Sequence, residues 1–256
     1  MNIKAVLWWV LAIVVAVGAW WFLANGSLPS SPLSEKAPVG DSSFYELTPT
    51  GDRRHLEETD THTIDVTYPS VSDPTVQLAL EAVAKEEVAR FKADLAVMVD
   101  DAEATRIREA GRPYELIISY KPYTSPGFSS YEFDIYLDTG GAHPNAFFRT
   151  LTFNEAGEEV MLPDLFKEGA RYLDRISTEA YKQVTLELGK RLGVEVSGDL
   201  EETVRIGTSP TPETLQFFYL SQGNLHIIIP PYQAASYAAG TFDVSIPLSQ
   251  LEDILK

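Results

Sequence analysis

The residues of this 256-residue chain that could do chemistry fall into three groups: a row of carboxylates, two loops rich in small residues, and four histidines. The carboxylates are Glu132, Asp134 and Asp138, on one side of an alternating run, Tyr131–Asp138. Neighbours two apart on a strand face lie about 6.6–7 Å from one another, the separation an acid–base pair needs in glycoside hydrolysis. Carboxylates on the wet face of an antiparallel strand are also ordinary. The run ends in TGGAHPN, which with Asp138 presents Thr139, Gly140, Gly141, His143 and Asn145. Glycine permits positive φ and exposes backbone amides, His-Pro enforces an extended exit, and His143 is a general acid or base in waiting. A second loop, PPYQAASYAAG, carries Tyr232 and Tyr237. Recognition through Asp138, Thr139, Gly140, Gly141, His143, Asn145, Tyr232 and Tyr237 is one reading of these loops. Catalysis by Asp134, Asp138 and His143 is the other.

Several chemistries are excluded. The chain has no cysteine, so disulfides, thiolate nucleophiles and Cys-ligated zinc are absent. It has no G-x-S-x-G elbow. His55, His62, His143 and His226 show neither H-E-x-x-H nor H-x-H spacing, so no metal and no cofactor is expected. His55 and His62 bracket the acidic HLEETDTH and read as solvated linker, while His226 alternates with apolar residues and reads as structural.

The elements that must position these residues follow from periodicity. Thr61–Tyr68, Tyr114–Tyr123, Tyr131–Asp138 and Phe147–Phe153 alternate as strands, with a short strand at Glu159–Leu162. Asp73-Pro74 is an N-cap followed by proline at the first helical position. It opens a long helix with Leu80, Val83, Val88, Phe91 and Leu95 inward and Glu81, Lys85, Glu86, Arg90 and Asp94 on the polar side. Tyr172–Leu192 is a second long helix, closed by Gly193. Val194–Thr214 reads as irregular. Leu215–Leu220 and Leu225–Ile229 form a hairpin, Thr241–Ile246 is the last strand, and Leu248–Lys256 is a short terminal helix. Strands in hairpin succession with two long helices predict an α+β fold, a largely antiparallel sheet with both helices packed on it.

Ahead of this body, residues 5–24 are an unbroken apolar run flanked by Trp8, Trp9, Trp20 and Trp21. Its length and aromatic belts predict one N-terminal transmembrane helix rather than a cleaved signal peptide, for which Val17-Gly18-Ala19 would be the cut site. Lys4 places residues 1–4 inside as a short cytoplasmic tail and the remainder outside. Residues 25–58, with Pro29, Pro32, Pro38 and Pro49, predict a tether to an extracytoplasmic domain over 59–256. The formal net charge of −17 disfavours nucleic acid and anionic lipid as partners and favours basic ones.

TGGAHPN followed by FFRTLTFN and LPDLF, the upstream IDVTYP with its long helix, and the closing FFYLSQGNLHIIIPPYQAASYAAGTFDVSIPLSQL together resemble a known family. It is the domain of unknown function in the ectodomain of RsiV, a lysozyme-sensing anti-sigma factor. The chain is similar as well to the non-catalytic N-terminal region of the peptidoglycan deacetylase PdaC. The resemblance covers about residues 61–256 and divides the body into a PdaC-like part, 59–125, and an RsiV-like part, 126–256. It implies an extracytoplasmic α+β domain near the cell wall that binds a protein such as lysozyme, or wall glycan. Anti-sigma activity is not expected, since only residues 1–4 precede the apolar run, and no catalytic deacetylase ligand pattern is visible. The expected function is therefore a membrane-anchored, single-pass, extracytoplasmic binding domain of the cell envelope, more a binder than an enzyme. The rivals are a cell-wall-glycan hydrolase and a structural domain of an envelope complex.

Overall fold

The computed structural model describes residues 44–256. The expected cytoplasmic tail, the transmembrane anchor and the tether up to residue 43 lie outside the described residues. No helix among the described residues is long and apolar enough to cross a membrane.

The fold is α+β. A six-stranded sheet runs in the order β1 (Glu46–Leu47), β2 (Arg53–Glu58), β3 (His62–Tyr68), β4 (Tyr114–Ser125), β5 (Phe128–Asp138), β6 (Asn145–Asn154). Every neighbouring pair is antiparallel except β3–β4, which is parallel. A parallel pair requires a crossover, and here α1 (Pro74–Met98) and α2 (Asp101–Ala110) supply it. Asp73 caps α1 by accepting from the amides of Thr75 and Val76, at 2.8 and 3.1 Å, with Pro74 at the first helical position. Leu80, Ala84, Val88, Phe91 and Leu95 then pack on Ile64, Val66, Leu116, Ile118, Phe133 and Ile135 of the sheet.

Two features of this half differ from expectation. Residues 53–58 are not tether: Arg53–Glu58 pairs along its whole length with Thr63–Tyr68, so the folded body begins before residue 59. Glu81 is not on the wet side of α1 but is 3% exposed, and Glu87, on which no expectation is placed, is 6% exposed. Each is neutralised by cations from outside its own turn or from its flank. Glu81 binds Arg53 at 2.8 Å and Lys85 at 2.7 Å, and Glu87 binds Arg149 and Arg90, both at 3.1 Å.

The second half has its own core. A three-stranded antiparallel sheet, β7 (Phe218–Ser221), β8 (Asn224–Ile229) and β9 (Phe242–Pro247), packs one face on α3 (Tyr172–Leu192) and α4 (Asp199–Gly207). Ile176, Ala180, Val184 and Leu188, four apart on α3, meet Leu220, Leu225, Ile227, Val244 and Ile246. The stretch expected to be irregular thus contains α4. The expected strand Glu159–Leu162 is a single bridge from Glu159 to Phe153 followed by a 3-10 turn over Leu162–Leu165, and the terminal helix is a 3-10 turn at Leu248–Gln250.

The two sheets meet without sharing a ladder. The outer amides of β7 are taken by hydroxyls instead: Phe218 N donates to Thr150 Oγ1 at 3.1 Å and Leu220 N to Ser130 Oγ at 3.0 Å. Gln222 N and Gly223 N bind Thr124 O and Ser125 Oγ. Buried amides left unpaired would each cost about 1–3 kcal/mol, so Ser125, Ser130 and Thr150 explain why this seam holds. Beside them Phe148, Tyr219 and Ile228 form a small apolar contact. A boundary at residue 125 would cut the β4–β5 hairpin, because β5 and β6 belong to the first sheet.

Candidate functional site

The two loops singled out by composition meet in space. TGGAHPN joins β5 to β6, and PPYQAASYAAG joins β8 to β9. Tyr232 Oη and His143 Nε2 are 2.7 Å apart, and the ring of Tyr237 stacks on that of His143 with centroids 4.1 Å apart and planes 16° from parallel. Tyr232 and Tyr237 are 5.5 Å apart, completing a three-ring cluster. His143 Nδ1 lies 2.9 Å from the Pro144 carbonyl and therefore carries the proton, which leaves Nε2 to accept from the Tyr232 hydroxyl. His143 and Tyr232 are exposed, Tyr232 to 58%. Tyr232 also has φ +70°, a left-handed conformation that costs a non-glycine residue about 1–2 kcal/mol. An exposed aromatic held in a strained backbone is being presented.

Asp138 is part of the frame of the loop. It is 6% exposed, binds Arg112 Nη2 through Oδ2 at 2.6 Å, and accepts the Gly140 amide through Oδ1 at 2.9 Å. Burial opposes its ionisation, but the Arg112 guanidinium and the Gly140 amide outweigh it and hold the carboxyl below its ordinary value. Gly140 takes φ +74°, and a Cβ there would come within 3.0 Å of the Tyr114 ring. Thr139 is half-buried, and Gly141 and Asn145 are exposed around the cluster.

A depressed folded-state pKa stabilises fully above the unfolded carboxylate value, about 3.9, and that contribution is lost as pH falls through the lower folded value. Asp138→Asn is therefore expected to lower Tm at neutral pH and to flatten the decline below about pH 4. Melting curves of both proteins from pH 2 to pH 7 check this, and parallel curves would refute it.

The structure does not assemble Asp134, Asp138 and His143. Asp134 and Asp138 are four residues apart on β5, about 13 Å. Lys121 binds Asp134 at 2.9 Å, Arg112 binds Asp138, and none of their ion pairs or hydrogen bonds involves His143. Glu132 is buried and shared between Lys121 Nζ at 3.0 Å and Tyr123 Oη at 2.8 Å. His55 and His62 are not linker residues. Both face Glu57 on the β2–β3 hairpin, His62 Nε2 at 3.1 Å and His55 Nε2 at 3.9 Å. No group of three or more such side chains among the described residues is placed to hold a metal ion. His226 is structural in position but more connected than its spacing suggests. Nδ1 binds Asp243 at 3.0 Å and the ring stacks on Tyr219, 4.4 Å away.

Comparison with known proteins bears out the family resemblance. Residues 56–146 match the family described as deacetylase PdaC, and residues 163–249 match the protein family of unknown function DUF3298. The peptidoglycan-N-acetylmuramic acid deacetylase PdaC of Bacillus subtilis (strain 168) is 25% identical over 259 aligned residues, 100% of this chain. The chain spans about half, 52%, of that relative's length. Two solved structures share the fold: DUF3298 family proteins from Pseudomonas aeruginosa PAO1 and Bacteroides fragilis NCTC 9343. Both have TM-score 0.55, at 15% and 19% identity, over 80% of this chain and 92% of theirs. His143 thus comes from the PdaC-matching region and Tyr232 and Tyr237 from the DUF3298-matching one.

Proposed function

From a chain that carries a PdaC-type region followed by a DUF3298 region, we propose an extracytoplasmic recognition module that binds cell-wall glycan through His143, Tyr232 and Tyr237. Residues 5–24 anchor it in the membrane with the N-terminus inside. The observation that carries the reading is the three-ring cluster built from both regions, with His143 and Tyr232 exposed and Tyr237 half-buried beneath them. Aromatic rings offer apolar faces to the C–H faces of sugars, while a tyrosine hydroxyl and an imidazole nitrogen meet their hydroxyls. A wall glycan agrees with the name of the Bacillus subtilis relative, whose substrate is peptidoglycan.

The test is co-sedimentation with insoluble peptidoglycan, then titration with soluble glycan fragments. Tyr232→Asn removes the ring while keeping a residue that tolerates the left-handed conformation, and Tyr237→Ala removes the stack on His143. Each is expected to weaken binding about tenfold, near 1.4 kcal/mol, with little change in Tm for the exposed Tyr232. Unchanged affinity in both variants refutes the site, and no sedimentation by the intact protein refutes the ligand.

The charge of −17 favours a second reading, a basic wall-active protein such as lysozyme as ligand. Opposite charge accelerates encounter and is screened by salt. Lysozyme binding that weakens between 50 and 300 mM salt, on the order of the Debye screening range, supports it, and absence of saturable binding removes it.

A further inference from the structure

A second feature, sharing no residue with the loop cluster, is a cleft of about 650 Å³ between the six-stranded sheet and the α3–β9 face. The PdaC-type region supplies Lys121, Glu132 and Asp134 to one wall, and the DUF3298 region supplies Glu187, Lys190 and Asp243 to the others. Its size lies within the usual range for ligand pockets, about 300–1,000 Å³, and such pockets favour junctions of this kind.

The polar groups are not equivalent. Lys121 is consumed by Glu132 and Asp134, and Arg191 by Glu187 and the carbonyls of Ala239 and Thr241. Lys190 is the cation left at the lip, 64% exposed and no nearer than 3.9 Å to Glu187. Three carboxylates remain partly open: Asp134 at 33%, Asp243 at 50% and Glu187 at 45%. Each accepts one or two contacts from the protein, against about four lone-pair positions per carboxylate. Asp243 is fixed in place by Tyr219 Oη at 2.6 Å and His226 Nδ1 at 3.0 Å. The floor between the acidic walls is made by Phe148, Ile228 and Phe242, all three buried and Phe242 covered by the Arg191 guanidinium 4.4 Å away, while Leu186 at the rim is the exposed apolar side chain.

This arrangement suits a cation on an aliphatic stem with an anionic group elsewhere on the molecule. We propose that the cleft binds a short amine-bearing peptide, its ammonium held between Asp134 and Asp243, its stem along Leu186 and the edge of Phe148, and its carboxylate at Lys190.

The probe is the tripeptide alanyl-glutamyl-lysine, with its Nε-acetyl form as control, titrated by calorimetry or by amide chemical shifts. Acetylation is expected to weaken binding about tenfold, and so is Asp134→Asn combined with Asp243→Asn, with a smaller loss for Lys190→Glu. Lys190 is exposed, so its variant folds and keeps the test decisive if the double variant does not. Tyr232→Asn is expected to leave peptide affinity unchanged, which separates this site from glycan binding. Equal affinity for the acetylated peptide, an unaffected Lys190→Glu variant, or no binding by the intact protein up to about 10 mM overturns the proposal.

Discussion

Gly207→Ala is expected to lower the stability of the domain by about 3 kcal/mol or more and its Tm by roughly 6–12 °C. Gly207 is the last residue of α4 and buried there. A Cβ on it would lie 2.2 Å from the Gln233 carbonyl oxygen and 2.6 Å from Ala234 Cα. These are backbone atoms, so no side chain can swing aside. The loop cannot retreat either. Ala234 is fully buried, and Gln233 Nε2 is tied to the carbonyls of Gly207 and Thr214 at 2.7 and 2.8 Å. Overpacking usually costs about 1–3 kcal/mol, and a contact between two backbones belongs at or beyond the top of that range. The strain would reach the loop cluster, because Tyr232 is next to Gln233 and its hydroxyl must stay on His143. Gly141→Ala is the control, with His143 O at 3.8 Å as its nearest contact and no positive φ. Melting curves and the His143 imidazole NMR shifts check both effects. A fall in Tm of less than about 2 °C for Gly207→Ala would show that α4 and the loop can part without cost.

How much of this was legible depends on how far each signal reaches along the chain. The cap of α1 is written locally, Asp73-Pro74 followed by an apolar stripe, and its start appears where the sequence places it. The same holds for α3 and the terminating Gly193, whose φ is +67°. α2 and α4 were not legible, because their 10 and 9 residues bury little beyond Ile107 in one and Val204 and Gly207 in the other. In α4 a 3.6-residue pattern exists, Leu200 and Val204 lying four apart, but it spans only about two and a half turns and the acidic residues around it read as loop. Glu81 was misplaced for a different reason, one that would have hidden the burial of Glu87 as well. A carboxylate reads as solvated until its cation is known, and Arg53 and Arg149 come from 28 and 62 residues away. The loop residues could be named from composition, but their convergence could not. His143 and Tyr232 are 89 positions apart, and only the hydroxyl-capped seam between the sheets brings their loops together. That seam uses Ser130 and Thr150 on strand faces where polar residues are unremarkable in sequence.

The second large effect lies where the sequence suggests tether. Glu81→Leu is expected to destabilise the domain by about 3–5 kcal/mol, because it strands the Arg53 guanidinium without its anion. Arg53 is 17% exposed at the side chain and Glu81 4%, so water can do little to replace either partner. The Tyr45 ring, 4.1 Å below the guanidinium, offsets part of the loss, about 0.5–2 kcal/mol for such a contact. Lys85 is 39% exposed and can turn to solvent once Glu81 is gone. Arg53→Met alone should cost less, since Glu81 keeps Lys85 at 2.7 Å. The double variant, Arg53→Met with Glu81→Leu, is expected to recover most of the loss, because two apolar side chains of similar volume need no counter-charge. Denaturant unfolding of the four proteins gives the coupling energy directly. Strong coupling means that the ion pair joins β2 to α1 and that residues 53–58 are part of the cooperative fold. Additive, small effects would instead return that strand to the tether.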